Sequence, residues 1–249
     1  MNLLGVVGGT GMDTLPDFSG SEQAPIETPY GAPTQAPVVG QIAGQPLVFL
    51  HRHGQVNPTP PHLVNYRANV HALAQVGVTH LIGVNAVGGI GLPMHPGALV
   101  IPDQIIDYTW GREHTFEAGN SGQIQYIDFA HPYDQGLRQQ LIETARELAL
   151  EHVDHGTYGA TQGPRLETAA EIRRMQRDGC NLVGMTGMPE AALAMEAGIA
   201  YASVCMVVNA ASGMDDRPLS LDTIVEILQR ESGVVGTLIA ALAHRFYGN

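Results

Sequence analysis

Four short segments combine small backbone donors with charged or hydroxyl side chains. Gly8-Gly9-Thr10-Gly11 sets glycines, whose amides approach an anion closely, beside a hydroxyl donor. His51-Arg52-His53-Gly54 offers a guanidinium fork that matches a pair of phosphate oxygens. Asn85-Ala86-Val87-Gly88-Gly89 and Thr186-Gly187-Met188-Pro189-Glu190 add further amides and another hydroxyl. Brought to one place, these groups would hold a single small anion.

Each segment also has a plainer reading. The glycine turn could be a bare structural turn, or the loop of a nucleotide-binding module. Against the latter, Met12, Asp13 and Thr14 follow Gly9-Thr10-Gly11, so Gly-x-Gly-x-x-Gly is not met, and no acidic residue ends a second strand at the expected distance. His51-Arg52-His53 could be surface charge at a strand end. On a period of two, Arg52 points away from His51 and His53, so the three share a site only if the strand stops there.

Apolar runs at 3–7, 47–51, 80–85, 98–101, 182–185 and 201–209 predict strands buried on both faces, and the four segments fall at the ends of strands among them. Helical spacing predicts helices over 64–76, 133–152 and roughly 167–177, with Leu137, Leu141, Ala145 and Leu148 on one stripe of the second. Pro189 and Glu190 suit the first turn of another helix, where a missing N–H costs nothing and a carboxylate favours the dipole. A long C-terminal helix runs from Asp222, with Ser220 or Asp222 near its cap and Gly233 and Gly236 weakening its middle. Alternating strands and helices predict one α/β domain over 1–249, with a central mixed β-sheet flanked by helices. The stretches 16–46 and 107–128, rich in Pro, Gly and polar residues, read as long functional covers.

Composition narrows the ligand. Twelve basic against 24 acidic residues give a net charge of −12. That opposes a polyanion such as DNA, so any bound phosphate needs a local site. No window is long and apolar enough to span a membrane and no leader segment stands at the N-terminus, so a cytoplasmic protein is expected. Cys180 and Cys205 read as buried free thiols, and the 11 histidines show no metal-ligand spacing, so no metal is expected.

Taken together, Gly8-Gly9-Thr10-Gly11, Glu27-Thr28-Pro29-Tyr30-Gly31, Arg52-His53-Gly54, Val64-Asn65-Tyr66-Arg67-Ala68-Asn69, Gly163-Pro164-Arg165 and Met185-Thr186 with Pro189-Glu190 resemble, in matching order, the methylthioadenosine phosphorylase branch of the trimeric purine nucleoside phosphorylases. The resemblance covers nearly the whole chain. It implies a phosphorylase-type α/β fold, a homotrimer, a purine nucleoside substrate, and inorganic phosphate as cosubstrate with no further cofactor. By position it implies that Thr10, Arg52, His53, Asn85, Ala86 and Thr186 line the phosphate site and that Met185 packs near ribose and base. Tyr126 is a candidate to close the pocket from a neighbouring subunit.

There are two departures. Adenine-specific relatives place a threonine where Asn85 stands, a change that keeps the backbone role and removes a hydroxyl contact, and aspartates where Asn209 and Ala211 stand, which bears on the base. An asparagine amide donates to purine N7 and to a 6-oxo group, whereas an aspartic acid suits adenine. Glu167 agrees, since the 6-oxopurine enzymes carry a glutamate there that accepts the base N1–H. Without the resemblance, Glu167 would read as an ordinary acidic residue in a helix first turn. Asn209 and Glu167 are thus the expected catalytic pair, with Leu166, Ala210 and Ala211 beside them in the substrate pocket. Leu221, Ile224 and Val225 would give an apolar wall for a 5′-methylthio group, or would be plain helix core. The expectation is phosphorolysis of a 5′-methylthio nucleoside of hypoxanthine. A methylthioadenosine or an inosine/guanosine phosphorylase is the alternative.

Overall fold

The computed structural model describes residues 2–12, 15–22, 26–117, 125–215 and 221–248. Along the chain run β1 (Leu4–Gly8), β2 (Phe18–Glu22), β3 (Val38–Ile42), β4 (Gln45–His51), α1 (Tyr66–Gln75), β5 (His80–Gly89), β6 (Leu99–Val100) and β7 (Gln104–Asp107). There follow α2 (Gln135–Glu147), β8 (His152–Val153), β9 (Thr157–Ala160), α3 (Ala169–Arg177), β10 (Leu182–Gly184), α4 (Gly187–Glu196), β11 (Ala200–Ala210) and α5 (Leu221–Gly248). All these strands join one mixed sheet, in the path β2-β3-β4-β1-β5-β10-β9-β7, with β11 and then β6 and β8 branching from β5.

The centre of the sheet is parallel. β1 pairs with β4 and β5, and β5 with β11. Every residue of β1 is buried, which requires helices on both faces. On one face Leu137 and Leu141 of α2 and Leu238 and Leu242 of α5 pack against Val6 and Val204. On the other, Val70 and Leu73 of α1 and Leu193 of α4 pack against Val7, Leu50 and Tyr201. Because the central strands are parallel and in register, with Gly8 opposite both His51 and Val84, their carboxyl ends open on one edge.

The α/β expectation holds, with differences in detail. The stretch 16–46 is not simply a cover: it supplies β2 and β3, which form an antiparallel meander with β4. The predicted helix over 133–152 stops at Glu147, where Ala149 turns to φ 53° and His152 starts β8. α3 begins at Ala169 because Thr168 and Glu171 form a reciprocal capping box, which places Glu167 ahead of the cap and not in the first turn. α5 runs unbroken through Gly233 and Gly236. A Cβ on Gly236 would lie 2.8 Å from Pro16, so the glycine permits close docking of helix on loop.

Candidate active site

A cavity of about 430 Å³ opens at the carboxyl edge of the sheet. Thr10, Arg52, His53, Ala86 and Thr186 line one part of it, and Met185, Leu166, Glu167, Asn209 and Ala211 another, with Ile224 from α5. The segments singled out by residue type therefore converge.

The turn after β1 closes through Met12 N–H to Gly9 O at 3.0 Å, and β4 ends at His51, so the strand alternation no longer separates Arg52 from His53. Arg52 N–H donates to Gly8 O at 2.8 Å, tying the two loops together. His51 stays outside the cavity, its ring edge-on to Phe49 at 4.7 Å. A Cβ at Gly9 would stand 2.6 Å from Arg52 Nη1, so only glycine lets this turn lie against the guanidinium.

The guanidinium fork does not point outward, contrary to the expectation of a phosphate clamp. Arg52 Nε and Nη2 donate to Glu190 Oε2 at 2.7 Å and Oε1 at 2.9 Å, Nη1 to Val84 O at 2.9 Å, and Nη2 also to Val7 O at 3.3 Å. Burial alone would lower the Arg52 pKa, but the Glu190 carboxylate overrides it and raises it, so the cation persists in the interior. Of five N–H groups, the remaining Nη1 proton is the one left for a ligand beside Gly9. Glu190 stands in the first turn of α4, as expected, but its carboxylate serves Arg52 and Tyr201 rather than the helix dipole.

His53 Nδ1 lies 2.8 Å from Thr59 O, which fixes the ring so that Nε2 faces the Gly9 turn. Burial, and then the neighbouring Arg52 charge, hold its pKa below the ordinary value. Asn85 does not line the cavity. Its Nδ2 donates inward to Ser203 Oγ at 2.8 Å, while its Oδ1 accepts the Thr186 hydroxyl at 2.7 Å, so it aims Thr186 instead of meeting a ligand.

At the other end of the cavity, Glu167 Oε1 accepts from the Thr161 hydroxyl at 2.6 Å, leaving Oε2 available. Asn209 is the penultimate residue of β11, past a β-bulge: Val207 pairs with Val87 and Asn209 with Gly88, so Val208 is the extra residue. A bulge re-aims the side chains that follow it. Asn209 Nδ2 donates to Ala210 O at 2.7 Å, which leaves one N–H and Oδ1 for a ligand. Ala210 itself turns away from the cavity wall, contrary to expectation. On α5 the apolar wall consists of Ile224 and Leu228, whereas Val225 is 50% exposed. The side chain of Leu221 lies outside the described residues.

Sequence reasoning missed Leu228, the segment Pro58 to Pro61 that shapes the mouth, the supports Thr161 and Arg112, and the pairing of Glu190 with Arg52. Leu228 lies one turn on from Ile224, and that helical spacing was the available signal. Among the described residues there is no group of three or more His, Cys, Asp or Glu placed to hold a metal. Cys180 and Cys205 are free and buried, and burial pushes the Cys205 thiol up to about 12. Among the described residues no helix is long and apolar enough to cross a membrane.

Comparison with known proteins places the fold and the family. The chain is 46% identical over 241 residues to the probable S-methyl-5′-thioinosine phosphorylase of Xanthomonas campestris pv. campestris, covering 96% of each. It is 41% identical over 246 residues to the 6-oxopurine nucleoside phosphorylase of Pyrococcus furiosus, covering 97% of this chain and 92% of that one. Among solved structures, a mutant of the adenosine/methylthioadenosine phosphorylase of Schistosoma mansoni, in complex with methylthioadenosine, superposes with a TM-score of 0.92 at 29% identity, covering all of this chain and 93% of that one. The family model described as the phosphorylase superfamily matches residues 3–244, and the chain belongs to that family.

Proposed function

We propose that the protein cleaves S-methyl-5′-thioinosine with inorganic phosphate, giving hypoxanthine and 5-methylthioribose 1-phosphate. The observation that carries this reading is that Asn209 and Glu167 stand in the same cavity as Thr10, His53 and Thr186. A phosphate oxygen attacks C1′ as the C1′–N9 bond breaks, and the bonding pair leaves with the purine. Phosphate sits against the Gly9-Thr10 turn, the remaining Arg52 N–H and Thr186, in a position that cannot diffuse away during the reaction.

The purine gains negative charge as it departs. Asn209 N–H donates to its N7 or 6-oxo edge, a contact that strengthens as the charge develops, while the Glu167 carboxylate accepts its N1–H and so orients and selects the base. Adenine brings a lone pair to Glu167 where hypoxanthine brings a hydrogen. A buried acceptor left facing a lone pair costs about 1–3 kcal/mol. Ile224 and Leu228 give an apolar wall where a 5′-methylthio group finds cover and a 5′-hydroxyl finds no partner.

The proposal includes a cytoplasmic homotrimer with no cofactor besides phosphate. The trimer is supported by the exposure of Tyr126, at 87%, the residue expected to reach a neighbour. The test is incubation with methylthioinosine, methylthioadenosine or inosine, with and without phosphate, and quantification of the free base. Phosphate-dependent release of hypoxanthine chiefly from methylthioinosine is expected. Preferential release of adenine would overturn the 6-oxo assignment, and equal turnover of inosine would overturn the 5′ assignment.

A further inference from the structure

Arg112 lies in the segment after β7 and is only 9% exposed, yet among the described residues no carboxylate pairs with it. Its charge is solvated by uncharged oxygens alone. Nη1 donates to Met185 O at 2.8 Å and Met188 O at 2.6 Å, Nη2 to Thr161 O at 3.0 Å and Gln162 O at 2.8 Å, and Nε to Gln162 Oε1 at 3.1 Å. The guanidinium also lies over the Tyr66 ring at 5.5 Å. Every N–H is used, and the acceptors belong to the segments that follow two different strands, β9 and β10, with Met188 in the first turn of α4. The first carries Thr161, the donor to Glu167, and the second carries Met185 and runs on to Thr186.

We propose that Arg112 is a positioning residue for the reaction. From behind the cavity it fixes the loop that sets Glu167 against the loop that sets Thr186, so that base and phosphate groups engage one substrate together. The planar fork is what permits this, since a lysine ammonium cannot reach paired carbonyls on both sides at once. Its charge also differs in kind from that of Arg52, which Glu190 neutralises. With no counterion, the Arg112 guanidinium favours the anions that the cavity holds and generates.

The inference rests on the nucleoside phosphorylase reading, and the test separates the two. Steady-state kinetics in both substrates would be measured for wild type, Arg112→Met and Arg112→Lys at a temperature where all remain folded by circular dichroism. Leu238→Ala, on the core-facing side of α5 and away from both loops, controls for lost stability. Arg112→Met is expected to lower kcat/KM for the nucleoside about 100-fold, and Arg112→Lys about 10-fold, as displacement of reacting groups by about 1 Å does. Leu238→Ala should stay near wild type even with an equal or greater fall in melting temperature. If Arg112→Met does not fold, Arg112→Lys decides by the same comparison. Variants that keep wild-type kcat/KM, or lose it only in parallel with the Leu238→Ala control, would overturn the positioning role. An inactive wild type would remove the phosphorylase reading as well.

Discussion

Arg52 and Glu190, 138 residues apart in the chain, meet in a two-point ion pair whose side chains are 1% and 3% exposed. Tyr201 donates its hydroxyl to the same carboxylate at 2.8 Å, so β4, α4 and β11 are joined beneath the cavity. Removing one charge of such a pair leaves the other buried and unmatched, at a cost of about 3–5 kcal/mol. Glu190→Gln is therefore expected to lower unfolding free energy by about that amount in urea denaturation, and to raise the KM for phosphate as Arg52 loses its orientation. A loss below about 1 kcal/mol would mean that the pair is far better hydrated than its burial implies.

Asn209→Asp tests the base assignment directly. The carboxylate cannot donate to a 6-oxo group, while its protonated form can serve adenine N7. Turnover of methylthioinosine should fall about 100-fold relative to that of methylthioadenosine, measured as the ratio of kcat/KM for the two nucleosides. An unchanged ratio would place base selection elsewhere in the cavity.

Thr161→Val keeps the shape of the residue and removes the hydroxyl that donates to Glu167 at 2.6 Å. A hydrogen bond to a charged group contributes about 1.5–3 kcal/mol, so kcat/KM for the 6-oxo substrate should drop about 10-fold or more. Glu167→Gln in the same assay should be more damaging still, because its amide has a single acceptor oxygen for which the Thr161 hydroxyl and the base N1–H compete, and it turns an NH2 donor toward the other. If Thr161→Val were silent in kinetics, Glu167 would have to be held by its own backbone alone.

His53 and His80 set the expected response to acid. Burial, then the Arg52 charge, lower the pKa of His53, and burial lowers that of His80. A histidine whose folded pKa lies below the unfolded value of about 6.5 takes up its proton more readily when unfolded. Stability should thus be level above about pH 7.5 and fall as the pH drops through about 6.5. Urea denaturation across that range would show it, and His53→Gln should flatten the slope. Rising stability on acidification would contradict the sign.

The strands and the clustering of the site were legible because both rest on local patterns: β-branched runs for the core of the sheet, and glycine or hydroxyl residues at their carboxyl ends. Thr10, His53 and Thr186 could be placed that way. The direction of Arg52 could not be read, since nothing near it announces a partner 138 residues on. Asn85 escapes sequence reading for a similar reason: its side chain turns toward Ser203 on a neighbouring strand, a contact set by sheet order. β2 and β3 were hidden by the prolines and glycines around them, and they persist as strands toward a sheet edge, where such residues are tolerated. Arg112 gave no signal at all, because its partners are backbone carbonyls, which every sequence has.

The extra residue Val208 has a consequence for how such a protein changes over generations. Val207 and the residues before it are locked into the register of β5, while Asn209 lies beyond the slip. The slip thereby frees the direction of the Asn209 side chain from the alternation that packs Val207 and its predecessors into the core, although Asn209 itself pairs again with Gly88. Under the proposed function, a mutation there can exchange one base for another while the strand behind it stays as it is, so a lineage can explore new nucleosides by single steps at little cost to folding.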